Sequence, residues 1–440
     1  MTAPQNDLRR ELGLFDATMI NVGTMVGSGI FLVPAAIALH VPWSALTVLA
    51  WVVGGVVSLL GALCVAELSA AFPAAGGQYV YLSRAFGPVW GFLYGWAAGV
   101  VINPASIAAI AVGFASYIGF FTPLGTAGER ATAAASIVAL TVVNCLGVRL
   151  GARTQNVLTL AKIAALVVLI SLPLLGSGGS ITNFAPLVPP GVNRDLIGAF
   201  GLALVAVLWT YDGWIETTYV GSEIRDPGRN LPRSIVASTG LVAVLYVLLA
   251  ASLAYVLSPV TMARSELVAA DAARTVLGVG GAAFVTIAIL VSTLGANNGI
   301  VLTAARIPYA MARGGHFFRR AGVVHPRLGT PVASLVMQGV WSIALVYTGS
   351  YNALATYVVF ASFLFYGMSC AAVIHLRTAE PQLERPYRAW GYPVTPLVFI
   401  AFAAWLVGNT IVENPRDAAV GAALIVMGLP GYFYWTRKKK

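Results

Sequence analysis

Charge is what this chain has least of: Asp, Glu, Lys and Arg together make up 10% of its 440 residues, against 58% that are hydrophobic. That leaves too little polar surface to clothe a soluble particle of this length, and a mean hydropathy of +0.83 points the same way. The three cysteines, Cys64, Cys145 and Cys370, lie within or at the ends of apolar runs with no metal-ligand spacing between them. They read as packing residues, which leaves no metal site to expect. His40, His316, His325 and His375 sit in loops or at the end of an apolar run, as solvated side chains do. No catalytic constellation is visible, so an enzyme is not expected and no cofactor is implied. Ser/Pro-rich linkers, charge blocks and a separate polar domain are also missing, which argues against a receptor with a soluble sensory part. The expectation is one membrane domain, residues 1–440, with short tails.

What fills the chain instead is a series of apolar runs, each near the 17 to 25 residues, roughly, that a bilayer-crossing helix needs. Twelve can be counted. The first six are Leu14–Leu39, Trp43–Leu68, Val89–Ile118, Ala131–Val148, Asn156–Leu175 and Leu196–Val220. The second six are Ser234–Leu257, Val279–Leu302, Pro331–Tyr347, Ala353–Leu376, Val394–Val412 and Ala418–Trp435. Hydrocarbon cannot hydrogen-bond to a backbone, so runs this long without period-2 alternation are helices and not barrel strands. The fold class is an all-α membrane protein of twelve transmembrane helices. The first run is much longer than the apolar core of a signal peptide and is expected to stay in the mature protein.

Orientation follows from the basic residues. With the N-terminus inside, Arg130, Arg194, Arg264, Arg274 and Arg416 are the only ones of the 26 Lys and Arg on outer segments. The inner segments hold the rest, from Arg9 and Arg10 through Arg225, Arg229 and Arg233 to Lys438, Lys439 and Lys440. Both termini are therefore expected in the cytoplasm. The net charge of +10 is spread over many loops as topology signals, and nucleic-acid binding is not expected.

Two runs carry residues that hydrocarbon does not favour. The centre of the first reads from Asn21 to Phe31 and holds Gly23, Gly27 and Gly29. Gly23 and Gly27 form a GxxxG pair, which by itself can mean close helix packing. The other reading is a local unwinding at Gly27, Ser28 and Gly29. The second half-helix would then aim free N–H groups and its dipole at the bilayer centre, where a carboxylate could bind. In the sixth run, Trp209 to Glu216 places Gly213 between the acids Asp212 and Glu216. Intramembrane carboxylates are costly and point to function. Runs one and six open two blocks of five, and interruptions at corresponding positions mark an inverted-repeat transporter.

Several stretches carry a family resemblance. Gly27-Ser28-Gly29-Ile30-Phe31, Pro73 to Tyr79, Glu223 with Asn230-Leu231-Pro232, and Ser292 to Gly299 with Arg306 resemble the amino acid–polyamine–organocation superfamily. Within it, they are most similar to the L-type amino acid transporter branch and its bacterial relatives. The resemblance implies a five-plus-five inverted repeat, residues 14–195 and 196–376, after a cytoplasmic N-tail of residues 1–13. The last two helices and tail would occupy residues 377–440, and the first and sixth helices would be discontinuous. It implies that Ser28, Gly29 and Ile30 hold the substrate carboxylate. Carbonyls near Gly27 and at Trp209 and Tyr211 would meet the amino group, and Trp209 would close over the substrate. It also implies a coupling role for Lys162, reaching the first-helix break and Ser292 where sodium sits in sodium-coupled members of the wider fold. By residue type alone, Lys162 reads equally as a lysine snorkelling to the cytoplasmic end. As an amine it could also release and take up a proton during the cycle.

Two departures from the family matter. Phe121 to Arg130 lacks the cysteine that links animal members to a glycoprotein, so no disulfide-linked ancillary subunit is expected. Asp212 stands where animal large-neutral-amino-acid carriers have glycine, which favours small or medium neutral L-amino acids. An acid in the pocket can instead favour a cationic amino acid or a diamine, or it can cap a broken helix end. The expected function is sodium-independent amino acid exchange by alternating access across the inner membrane, with proton-coupled symport as the alternative.

Overall fold

The structure, a computed structural model, describes residues 8–175, 178–187, 194–265, 267–349 and 351–437. Residues 1–7 of the N-terminal tail, the inner-side Lys438, Lys439 and Lys440, and the side chain of Arg194 lie outside the described residues. The described residues form helices and no named strand, with one isolated bridge between Leu12 and Ile224.

In chain order the helices begin with α1 (Leu14–Met25), α2 (Gly29–His40), α3 (Ser44–Ala71), α4 (Gln78–Phe86) and α5 (Pro88–Trp96). Then come α6 (Asn103–Gly119), α7 (Gly125–Cys145), α8 (Val148–Ile170), α9 (Leu172–Leu175), α10 (Arg194–Tyr211) and α11 (Glu216–Tyr219). The chain continues with α12 (Pro227–Val256), α13 (Pro259–Arg264), α14 (Val268–Leu277), α15 (Val279–Ala304) and α16 (Arg306–Arg313). It ends with α17 (Val332–Thr348), α18 (Tyr351–Ala379), α19 (Val394–Glu413), α20 (Pro415–Val426) and α21 (Gly428–Arg437). Among the described residues, nine helices are long and apolar enough to cross a membrane, counting Leu14–His40 as one across its break. Leu196–Tyr211 and Val332–Thr348 are apolar but shorter, and α7 opens with Glu129 and Arg130 in its first turns.

Of the helices that start earlier than hydropathy predicts, the two with the largest differences do so for physical reasons. α8 begins at Val148, not Asn156, because its polar residues are divided between two faces. Arg149 and Arg153 are exposed, whereas Gln155, Thr159 and Lys162 follow each other at helical spacing on a buried face. α12 begins at Pro227, not Ser234, after Asp226 in the left-handed region at φ 44°. Proline at the first helical position loses no hydrogen bond there.

The third apolar run contains a π-helical stretch, Ala97–Ile102, just before Asn103 and Pro104. Pro104 has no N–H to give the carbonyl four residues back, which belongs to Val100. The indole N–H of Trp341 on α17 donates to that carbonyl at 2.8 Å, and the Asn103 amide donates to Ala98 O at 2.9 Å. The wide turn is thereby satisfied in a setting where backbone groups need partners from within the protein.

A buried polar belt joins α7, α8 and α15 to α1. The Asn144 amide donates to Asn298 Oδ1 at 2.9 Å, and the Asn298 amide donates to Gln155 Oε1 at 2.9 Å. Thr159 Oγ1 donates to Met19 O at 3.1 Å. Only glycine fits against this belt: a Cβ on Gly23 would lie 1.9 Å from Gln155 Nε2, and one on Gly299 would lie 2.3 Å from Thr24 Cγ2.

The side carrying the N-terminal segment is closed around Glu223. Its carbonyl accepts from the N–H groups of Glu11 and Leu12, both at 3.0 Å, and Arg225 N–H returns a bond to Leu12 O at 2.9 Å. Its carboxylate takes two bonds from Arg306, at 2.8 and 2.9 Å, with both side chains fully buried. Breaking such a pair from one end strands a buried charge.

Candidate functional site

The site forms where two helix interruptions abut. α1 stops at Met25 and α2 starts at Gly29, so Val26, Gly27 and Ser28 lie outside both helices. α10 stops at Tyr211 and α11 starts at Glu216, with Gly213 between them at φ +112°. That φ suits glycine, and a Cβ there would also lie 3.0 Å from Met25 N. At Gly29 a Cβ would meet Thr210 Oγ1 at 2.8 Å. Glycine at both positions therefore lets the two broken backbones approach each other.

Side chains fix the freed backbone groups. Thr24 Oγ1 donates to Gly213 O at 3.1 Å, and Thr217 N–H donates to Asn21 Oδ1 at 2.9 Å. The Tyr246 hydroxyl reaches both breaks, 2.7 Å from Met25 O and 3.3 Å from Thr210 O. Lys162 is fully buried, and its ammonium donates to Gly23 O at 2.8 Å, Val26 O at 2.7 Å and Ser292 O at 3.0 Å. These are all the donors an ammonium has. Ser292 Oγ adds bonds to Val26 O at 2.9 Å and Gly27 O at 3.1 Å. Lys162 and Ser292 thus meet at the α1 break, and neither side chain lines the cavity beside it.

That cavity has about 720 Å³ free of protein atoms, its open mouth included. Gly27, Ser28 and Gly29 line it from one break, with Trp209, Thr210, Asp212, Gly213 and Glu216 from the other. Among the described residues, no backbone acceptor takes the N–H of Ser28, Gly29 or Ile30, and those of Ser28 and Gly29, on the cavity wall, are available to an anion at the start of α2. Two carboxyl groups face the same space. Asp212 Oδ1 accepts from the Tyr366 hydroxyl at 2.5 Å, and Glu216 Oε2 accepts from Thr303. No Lys, Arg or His is among the lining residues. One end is therefore set for a carboxylate and another is acidic.

Two residues expected at the site lie off the cavity wall. Ile30 is fully buried in the core. The Tyr211 side chain is turned away from Trp209 by the 200° between helix positions two apart, roughly, and its hydroxyl donates to Trp51 O at 3.0 Å. The Gly27 and Trp209 carbonyls already accept from Ser292 Oγ and from Asp212 N–H, the latter at 3.2 Å. Residues that sequence reasoning passed over include Thr24, Ile102, Asn103 and Ser106 on the wall. The Asn103-Pro104 pair inside an apolar run is the signal that would have found Ile102, Asn103 and Ser106. Glu216 is visible in the sequence as an intramembrane acid but has no role assigned from sequence.

The sequence profile of a family described as amino acid permease matches residues 12–435. The chain is similar to the b(0,+)-type amino acid transporter 1 of Mus musculus, 33% identical over 439 residues that cover 98% of this chain and 89% of that one. It is also similar to the large neutral amino acids transporter small subunit 2 of Homo sapiens, 34% identical over 448 residues that cover 98% of this chain and 82% of the relative.

Proposed function

Because the chain belongs to the amino acid permease family and is a multi-pass membrane transporter of amino acids, we propose that it binds one amino acid between its two helix interruptions. It then exchanges that molecule across the membrane by alternating access. The observation that carries this reading is the opposed chemistry of the cavity: unclaimed N–H groups at Ser28 and Gly29, and the carboxylates of Asp212 and Glu216. A zwitterion matches both ends, its carboxylate on the α2 N-terminus and its ammonium towards the acids. Trp209 covers the bound molecule as a gate.

Independence from sodium is supported by Lys162. Its ammonium already takes Gly23 O, Val26 O and Ser292 O, the oxygens a cation at this junction would need. The proposed topology is twelve crossings in two five-helix repeats, residues 14–195 and 196–376, with both termini on the inner side of the cytoplasmic membrane. The chain is proposed to act without a disulfide-linked partner.

The proposed substrates are small or medium neutral L-amino acids. A second reading is favoured by one observation, two carboxylates on the wall with no basic side chain beside them: a cationic side chain or a diamine would neutralise them. Uptake of labelled L-alanine, L-leucine and L-arginine into proteoliposomes, with and without internal amino acid and over a range of external pH, tests all of this. Exchange requires internal substrate and ignores the proton gradient. Uptake into empty vesicles driven by external acid would establish proton symport instead.

A further inference from the structure

Along α12, Ala237, Leu241, Val244 and Leu248 are exposed and follow one another three or four residues apart. They form one apolar stripe on a helix long and apolar enough to cross a membrane. The same spacing, carried back towards the start of the helix, reaches Arg233 and Arg229, both exposed. These two arginines line a cavity of about 950 Å³ free of protein atoms, its mouth included. Arg10 lines it from the N-terminal segment, which Arg225 N–H holds through Leu12 O at 2.9 Å. Pro386 and Tyr387, between α18 and α19, stand on the opposite wall. The lining sets three guanidinium groups against one carboxylate, that of Asp226, and none of the four side chains has a hydrogen bond or ion pair among the described residues. A neighbouring crevice lined by Arg377 and Arg385 differs, because both already bind Glu67, at 2.6 and 3.4 Å. Topology asks only that positive charge gather on one side of the membrane. It does not ask that arginines from two separate segments converge on one cavity without acids to pair them.

We infer that this cavity holds the phosphate headgroup of an anionic phospholipid from the leaflet on the N-terminal side, with an acyl chain laid along the α12 stripe. Guanidinium groups suit phosphate because their donors form a fork that matches its oxygens. A free phosphate ion would satisfy the arginines equally and would make no use of the stripe. The register between the two selects the lipid. From Arg233 to Val244 the helix rises about 16 Å, close to half of the roughly 30 Å hydrocarbon core and so to the depth of one leaflet. Bound there, the headgroup ties Arg10 to α12 on the side that is closed around Glu223.

The test is native mass spectrometry of the full chain in detergent, titrated with an equimolar mixture of phosphatidylglycerol and phosphatidylcholine. Wild type is expected to retain one phosphatidylglycerol molecule, preferred over phosphatidylcholine by about fivefold or more. Arg229→Gln with Arg233→Gln should weaken that retention by about tenfold or more, and Arg10→Gln alone by about threefold or more. All three side chains are exposed, so these variants keep the fold. Arg319→Gln with Arg320→Gln removes as much charge from exposed positions outside the cavity and should leave retention within about twofold of wild type. A large excess of inorganic phosphate should not displace the lipid. Equal retention of the two lipids overturns the inference, as does an Arg229, Arg233 double variant within about twofold of wild type, or a control pair that loses as much. Displacement by inorganic phosphate would make the cavity a soluble-anion site and overturn the lipid assignment.

Discussion

Replacing Lys162 by methionine separates stability from transport. The side chain stays long and apolar, and three donated hydrogen bonds disappear. Their loss is unequal. Val26 O keeps Ser292 Oγ at 2.9 Å, and Ser292 O sits inside α15, where the helix supplies its own donor. Gly23 O has no such reserve, because the N–H that would reach it in a continuous helix, that of Gly27, is bonded to Met25 O at 2.9 Å. One buried carbonyl is left without a donor, at a cost of about 1–3 kcal/mol to the broken conformation of α1. An ammonium in a fully buried position also carries a desolvation cost, and removing it offsets that loss in overall stability. The expected outcome is a thermal midpoint close to wild type, with the initial rate of L-leucine counterflow reduced by roughly 10- to 100-fold. Counterflow within about twofold of wild type in folded Lys162→Met and Lys162→Ala would refute the reasoning. A parallel collapse of stability and rate would make Lys162 a structural residue only.

Other consequences follow from particular contacts. Glu223→Gln or Arg306→Met alone leaves a buried charge without its partner and should destabilise the fold by about 3–5 kcal/mol, whereas the double replacement should recover much of that loss in thermal unfolding. Asp212→Asn should weaken competition by L-arginine against labelled uptake by about tenfold and leave L-alanine nearly unchanged; equal effects on both would remove the cationic reading. Gly213→Ala imposes the left-handed region on an L side chain, costing of order 1–3 kcal/mol, and sets a Cβ 3.0 Å from Met25 N. Transport by Gly213→Ala at the wild-type rate would show that the two breaks need not touch.

Much of this arrangement is legible in the sequence because hydrocarbon makes anomalies conspicuous. Glycines at 23, 27 and 29 and acids at 212 and 216 stand out against apolar runs, and the structure interrupts its helices beside both groups. What cannot be read is which distant group answers each freed polar atom. Nothing local ties Tyr246 to Met25 O, Trp341 to Val100 O or Asn144 to Asn298, since each bond spans two helices far apart in the chain. Hydropathy also misjudges helices whose polar residues point inward. Gln155, one residue before the fifth run, looks like a loop residue until the belt that buries it is seen. Tyr211 is a related case: the resemblance brings its carbonyl to the substrate and says nothing of its ring, which helical geometry sends to Trp51 and Tyr246.

The central claim is that substrate binds between the two interruptions, and a structure determined with a bound amino acid tests it most directly. The account predicts a carboxylate within hydrogen-bond distance of the Ser28 and Gly29 amides, an ammonium towards Asp212 and Glu216, and Trp209 packed over the side chain. A molecule seated elsewhere, with the Ser28 and Gly29 amides unoccupied, would contradict it.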